Sequence, residues 1–275
     1  MDTSNLAVRL LTAAVCVPVI LALTYAAPPW AFYLLVVAVS LAGARELLMM
    51  THPRDRVAQW AGVSLSAAAS LTVYLRPDDP SALLAVLVVV PLAGLLFTLA
   101  RLGAIETAAL RAFAFGAAPL FVVVPLTLLA VMRRTSSVAG SGAVLLALGL
   151  GWFADTGAYF TGRFIGRRKL YEAVSPKKTV EGAIGGLVAS VIWAILGTVG
   201  YLRGLFPLTH AVGLGVVAGA LGQAGDLGES LLKRSTGMKD SGTLVPGHGG
   251  ILDRVDSLIM TTVIVFFYSR WAGGD

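Results

Sequence analysis

This sequence predicts an all-α polytopic membrane protein of about nine transmembrane helices, with a cytoplasmic N-terminus. Three observations carry that expectation. Of the 275 residues, 57% are apolar and only 13% charged, and the mean hydropathy is +0.82. An ordinary soluble domain carries about 25% charged residues. Apolar runs near the roughly 20 residues needed to cross a bilayer recur along the whole chain. The charges gather in the gaps between those runs, and they do so unevenly.

Taken in order, the runs fall at about 6–27, 30–50, 60–75, 83–100 and 112–132. Four more follow at about 142–160, 183–202, 208–232 and 252–271, each interrupted by Gly or by an acidic residue. The first is too long for a cleavable signal segment and lacks a small-residue cleavage site, so it reads as a retained helix. The third is short, which suits a tilted or re-entrant segment. Gly182/Gly186 and Gly215/Gly219 are small-xxx-small pairs and read as helix-packing faces rather than ligand loops. Nine crossings put the termini on opposite sides. Sixteen of the 21 Lys and Arg then share the side of the N-terminus, which the positive-inside rule makes cytoplasmic. Topology and anionic headgroups thus account for the net charge of +6 without a nucleic-acid partner. Cys16, the only cysteine, excludes an internal disulfide and a cysteine-cluster metal site.

The halves differ in kind. Residues 1–141 read as scaffold helices and 142–275 as the region of chemistry, because all five lysines lie between Lys169 and Lys239. Asp226 and Glu229, three apart near the end of the eighth run, share one helix face. Asp253 and Asp256 repeat the spacing at the start of the ninth, where acids also suit the helix dipole and need no function. Carboxylates at a membrane edge are expensive and mark a site by default. Four of them from two helices suit a hard cation such as Mg²⁺, which takes one or two carboxylates, waters and substrate phosphates. Asp155, among apolar neighbours in the sixth run, points to a polar interior.

Between the last two helices, residues 233–250 alternate basic groups with turn formers, and Gly247, Gly249 and Gly250 bracket His248. Such a turn can cradle phosphate oxygens on successive N–H groups ahead of a helix. A solvated basic loop with a glycine hinge has the same composition. Lys177 and Lys178 follow Ser175-Pro176, and Ser175 or Thr179 is placed to cap the next helix; adjacent lysines on an anionic membrane need no substrate. No Walker-type phosphate loop and no H-E-x-x-H motif occurs. His52 and His210 are lone loop histidines and read as incidental.

From Ser230 to Asp256 the pattern S-L-L-K-R-x4-K-D-S-G-T-L-V-P-G-H-G-G-I-L-D-R-V-D closely resembles the signature of phosphatidate cytidylyltransferases. Asp155-Thr156-Gly157-Ala158-Tyr159, the stretch 175–182 and Gly225-Asp226-Leu227-Gly228-Glu229-Ser230 resemble further family segments. The resemblance covers roughly residues 151–257, and Val245 stands where the family usually has Leu, Ile or Phe. It implies transfer of CMP from CTP to phosphatidic acid, giving CDP-diacylglycerol and pyrophosphate. The expected setting is a multi-pass enzyme of the plasma (inner) membrane with its active site facing the cytoplasm, membrane lipids around it and a homodimeric state. Mg²⁺ is the expected cofactor, with a second cation of unassigned identity. Asp226 and Asp253 are the first expected metal ligands, with Asp256 and Glu229 as further ligands or supporting partners. Lys233, Arg234, Lys239 and Arg254 would hold phosphates, while His248 and its glycines would shape the loop over the triphosphate. Lys177 and Lys178 would reach the nucleotide or the lipid headgroup, and Asp155 and Ser230 complete the expected substrate-binding set.

Two rival readings belong beside this one. Another lipid phosphate as CMP acceptor would need the same chemistry. An ion-coupled transporter would use Asp155 and Asp226 as ion sites and glycine-broken helices as gates. A carrier should hold its charge near mid-membrane, whereas here the loops at 169–178 and 233–250 gather it at the cytoplasmic edge.

Overall fold

The computed structural model describes residues 3–134, 138–202, 206–242 and 249–273. Its helices are α1 Thr3–Tyr25, α2 Pro29–Thr51, α3 Arg56–Leu75, α4 Pro80–Ala100, α5 Ala108–Ala117, α6 Val124–Arg134, α7 Val138–Ile165, α8 Val180–Gly200, α9 Leu208–Ser235 and α10 Leu252–Gly273. Each apolar run of the sequence falls on a helix, the fifth on α5 and α6 together. Among the described residues six helical segments are long and apolar enough to cross a membrane: Pro29–Thr51, Pro80–Ala100, Ile105–Arg134, Ala139–Ile165, Val180–Gly200 and Leu208–Ser235. Among the described residues α1 contributes a shorter apolar stretch, Ala14–Tyr25. α3, with Arg56, Gln59 and its serines, and α10, with Asp253, Arg254 and Asp256, are not among the six. The protein is therefore a mostly helical, multi-pass membrane protein.

One feature departs from the all-α expectation. β1 (Lys169–Tyr171) and β2 (Ser175–Thr179) form an antiparallel hairpin between α7 and α8, pairing Lys169 with Thr179 and Tyr171 with Ser175. So short and polar a segment shows no period-two apolar pattern to read. Local polar bonds hold it instead: Val180 N–H donates to the Arg168 carbonyl at 2.9 Å, and the Glu181 carboxylate accepts from the Arg167 and Arg168 N–H groups at 2.9 and 3.2 Å.

Helix starts follow capping chemistry. Asp55 accepts the Ala58 N–H ahead of α3, and Asp79 accepts those of Ser81 and Ala82 ahead of α4. Thr179 caps α8 by accepting the Gly182 N–H at 3.1 Å, one of the two caps its sequence offered.

The chain divides into two compact units, Met1–Val131 with Asp240–Arg254, and Met132–Lys239 with Val255–Asp275. In the first, Ala69, Val86 and Val90 form a buried nucleus with Leu65, Leu120 and Val124 against it. A chain of hydroxyls runs from Tyr33 through Ser70 to Thr127, which donates to the Val123 carbonyl at 2.8 Å. That carbonyl belongs to a π-helical turn, Ala118–Val123, joining α5 to α6. Pro119 lacks an N–H there, which favours the wider turn, and the Thr127 hydroxyl serves a carbonyl in a setting without water.

In the second unit the helices meet on glycine. A methyl group on Gly182 would meet the Ala158 carbonyl oxygen at 2.9 Å, and one on Gly186 the Ala154 carbonyl oxygen at 2.7 Å. On the α8–α9 seam, Gly215 lies over the Val191 backbone and Gly219 over Ser190, at 2.6 and 2.8 Å on the same measure. The two glycine pairs are packing faces, as their spacing predicted.

Candidate active site

The end of α9 is where the second unit gathers its charge. Asp226, Glu229, Ser230, Lys233 and Arg234 occupy its last turns, and a Schellman motif stops the helix. Met238 N–H donates to the Lys233 carbonyl at 2.8 Å and Gly237 N–H to that of Arg234 at 3.1 Å, with Gly237 at φ +73°. The sequence fits that left-handed position because glycine carries no Cβ. Immediately before Asp226, a methyl group on Gly225 would lie 2.9 Å from the Asp256 carbonyl oxygen. Glycine thus lets α9 and α10 approach where both carry an acid.

Three elements then converge. The half-buried Asp256 carboxyl faces the charges of Asp226, Asp155 and Glu229. Buried Ser257 links two of these acids: its hydroxyl donates to Asp155 at 3.2 Å, and its N–H to Asp256 at 2.7 Å. Like charges this close repel one another, and lysines answer them from different elements. Lys178 reaches from β2 to Asp226, Nζ to Oδ2 at 2.5 Å, and Lys233 pairs with Glu229 one helical turn away at 2.5 Å. Glu229 is 2% exposed, whereas Lys178 and Asp226 are each about a quarter exposed, with the Lys178 Nζ itself buried.

In the first unit, Asp253 Oδ2 accepts the Ser241 and Gly250 N–H groups at 3.1 and 3.0 Å. Gly249 takes φ +82°, the left-handed backbone that favours glycine. Glu46 of α2, which the sequence did not single out, lies 2% exposed against the same segment. It accepts from the Ser241 hydroxyl at 3.0 Å and from the Ile251 and Leu252 N–H groups at 3.0 and 2.8 Å. The signal available was an acid inside an apolar run, the same signal that drew attention to Asp155. Ser257 was missed as well.

The remaining predicted residues are disposed more loosely. Lys177 is exposed, next to Lys178 on β2; Lys239 and Arg254 are exposed; Ser230 is buried on α9. Arg234 donates to the carbonyls of Val174 and Met238 at 3.3 and 3.4 Å. Gly247 and His248 lie outside the described residues.

The donor set fits a hard cation. Asp226 and Asp256 offer carboxylate oxygens from facing helices, with Asp155 beside them. Among the described residues no three Asp, Glu, His or Cys side chains form a group that holds an ion by itself. Mg²⁺ does not require such a cage, since it keeps waters and takes one or two carboxylates together with substrate phosphates.

A family model described as the cytidylyltransferase family matches residues 7–272. Among curated proteins, the chain is similar to the phosphatidate cytidylyltransferase of Synechocystis sp., 44% identical over 124 residues, which is 45% of this chain and 42% of that protein. It is 47% identical over 119 residues to the Haemophilus influenzae enzyme of that name, covering 42% of this chain and 41% of the relative. Against the Bacillus subtilis enzyme of that name it is 44% identical over 118 residues, covering 42% and 43%. The matched stretches thus span less than half the length of these relatives.

Proposed function

The chain belongs to the cytidylyltransferase family, and on that premise we propose that it transfers CMP from CTP to phosphatidic acid, yielding CDP-diacylglycerol and pyrophosphate. The observation that carries this reading is the convergence of Asp155, Asp226 and Asp256 with Lys178 at one end of the helical unit. It suits a reaction whose difficulty is electrostatic.

A phosphate monoester with a second pKa of about 6 is largely dianionic at neutral pH. A phosphatidate oxygen therefore attacks the α-phosphorus of CTP without a strong general base. The new P–O bond forms as the α–β anhydride bond breaks, and the electron pair leaves on pyrophosphate. Two polyanions must be brought in line while charge builds on the leaving group, which calls for positioned cations rather than a nucleophilic side chain. Lys178 and Lys233, already held at the acids, supply fixed positive charge. Lys177, Arg234, Lys239 and Arg254 would add positive charge that draws anionic substrate. Asp226 and Asp256 would hold Mg²⁺, with Asp253, Glu229 and Asp155 as further or supporting oxygens. When bound, the ion neutralises phosphate charge.

The finer topology belongs to the same reading: nine crossings, a cytoplasmic N-terminus and an active site on the cytoplasmic face of the plasma membrane. The excess of Lys and Arg on one side supports it. A homodimer and the absence of a nucleic-acid partner are proposed with it.

The test is to mix purified protein with labelled CTP, Mg²⁺ and phosphatidic acid. Lipid-bound CMP together with released pyrophosphate is expected. Pyrophosphate without labelled lipid, or no turnover, overturns the reading; label on another lipid phosphate alone moves the acceptor and keeps the chemistry.

A further inference from the structure

We propose that Glu46 is a positioning residue for nucleotidyl transfer: from α2 it fastens Ser241 to the start of α10, beside Gly249, Gly250 and Asp253. This rests on the cytidylyltransferase reading for its catalytic consequence and on geometry alone for the fastening.

Among the described residues three donors meet the Glu46 carboxylate, one before residues 243–248 and two after them. The Ser241 hydroxyl lies on the entering flank, 195 positions away in sequence. The Ile251 and Leu252 N–H groups lie on the leaving flank, where α10 begins. A side chain buried to 2% exposure is costly unless its oxygens are satisfied, so these bonds are obligatory to the fold around it. They also serve the helix, because the first N–H groups of α10 have no acceptor within their own helix.

The close fit extends to the backbone. A methyl group on Gly242 would come within 2.5 Å of Glu46 Oε1, and one on Gly250 within 2.5 Å of Oε2 and into the Ser241 hydroxyl. Both glycines are therefore shaped around this carboxylate. Asp253 Oδ2 likewise ties the Ser241 N–H to the Gly250 N–H. Two acids thus clamp the same pair of strands of chain, one from α2 and one from α10.

Glu46 acts on the groups that the mechanism assigns to substrate only through Ser241 and the start of α10. Its contribution is to keep Asp253 and the glycine N–H groups in place as charge develops on the phosphates. A residue acting this way alters turnover more than substrate affinity.

The experiment compares full-length wild type with Glu46→Gln and Ser241→Ala in detergent, by hydrogen exchange of the peptide 241–252 and by steady-state kinetics with CTP and phosphatidic acid. Glu46→Gln keeps the side chain's size but places an amide NH₂ against donors. Expected are exchange in 241–252 at least about tenfold faster with peptides of α8 and α9 unchanged, kcat reduced about 10- to 100-fold, and KM for both substrates within about threefold. Ser241→Ala removes one of the three bonds, so a smaller change of the same sign is expected. In the Glu46→Gln background Ser241→Ala should cost little more, because both act through one contact. Unchanged exchange in Glu46→Gln overturns the fastening, and faster exchange with unchanged kcat overturns the positioning role. Additive losses from the two substitutions overturn it as well. If Glu46→Gln does not fold, Ser241→Ala carries both measurements. Exchange is read without substrate, so a wild type that transfers no CMP refutes the functional reading by itself, separately from the clamp.

Discussion

The proposed roles of Asp226 and Asp256 can be tested at the scale of single carboxylates. Replacing either by Asn removes a negative charge with almost no change of shape. Asp226→Asn is expected to lower the Mg²⁺-dependent rate by more than about tenfold, a barrier increase above 1.4 kcal/mol, while the circular-dichroism spectrum stays unchanged. A variant retaining more than a tenth of the wild-type rate would remove Asp226 from the metal-binding set. Lys233 supports a different outcome. Its partner Glu229 is buried, so Lys233→Met should destabilise the protein by about 3 kcal/mol in denaturant titration, and adding Glu229→Gln should recover most of that loss. Equal stability of the single and double variants would show that the pair does not matter to the fold. The carboxylates of α9 and α10 were legible in the sequence because a three-residue spacing translates directly into a helix face. Glu46 was not legible, because its partners are a hydroxyl and two backbone N–H groups about two hundred positions away, and backbone donors leave no trace in residue type.

Among the elements, α3 shows how a short, rather polar helix is held at its start. Asp55 caps it through the Ala58 N–H and accepts from Nε and Nη2 of the Arg101 guanidinium at 3.0 and 3.1 Å. Arg101, first, and the cap bond hold the Asp55 carboxyl below the usual carboxylate range. A lowered folded-state pKa adds stability that is present above the ordinary value near 4 and fades as pH falls through the lowered one. Asp55→Ala is therefore expected to cost about 1 kcal/mol at neutral pH. The gap in melting temperature between it and wild type should close as the buffer is taken to strong acid; a gap that widens there contradicts the assignment. The hairpin β1–β2 taught the opposite lesson about legibility. Its lysines, Lys177 and Lys178, were visible as a basic pair, but not the strand that presents Lys178 to Asp226, since the bonds that shape it come from Glu181 and from peptide groups.

For the whole molecule, the nine apolar runs were readable as helices because hydrophobic length is a property of sequence alone. How many of them cross the membrane is a separate quantity, and six meet the demand of length and apolarity outright. The orientation can be measured. With Cys16 replaced by Ala, a single cysteine at Tyr171 in the exposed hairpin should be labelled by an impermeant maleimide in inside-out vesicles and not in right-side-out ones. The reverse pattern would invert the topology drawn from Lys and Arg.

The glycine seams of the second unit have one more consequence. Where a helix rests on its neighbour's peptide groups, the joint has almost no side-chain torsions through which to relax, so the acids of α9 are mounted on parts that move as rigid pieces or not at all. Residues facing the lipid can then drift widely without disturbing the chemistry. A single added methyl at Gly186 would be felt by the reaction as a misalignment, well before it was felt as unfolding.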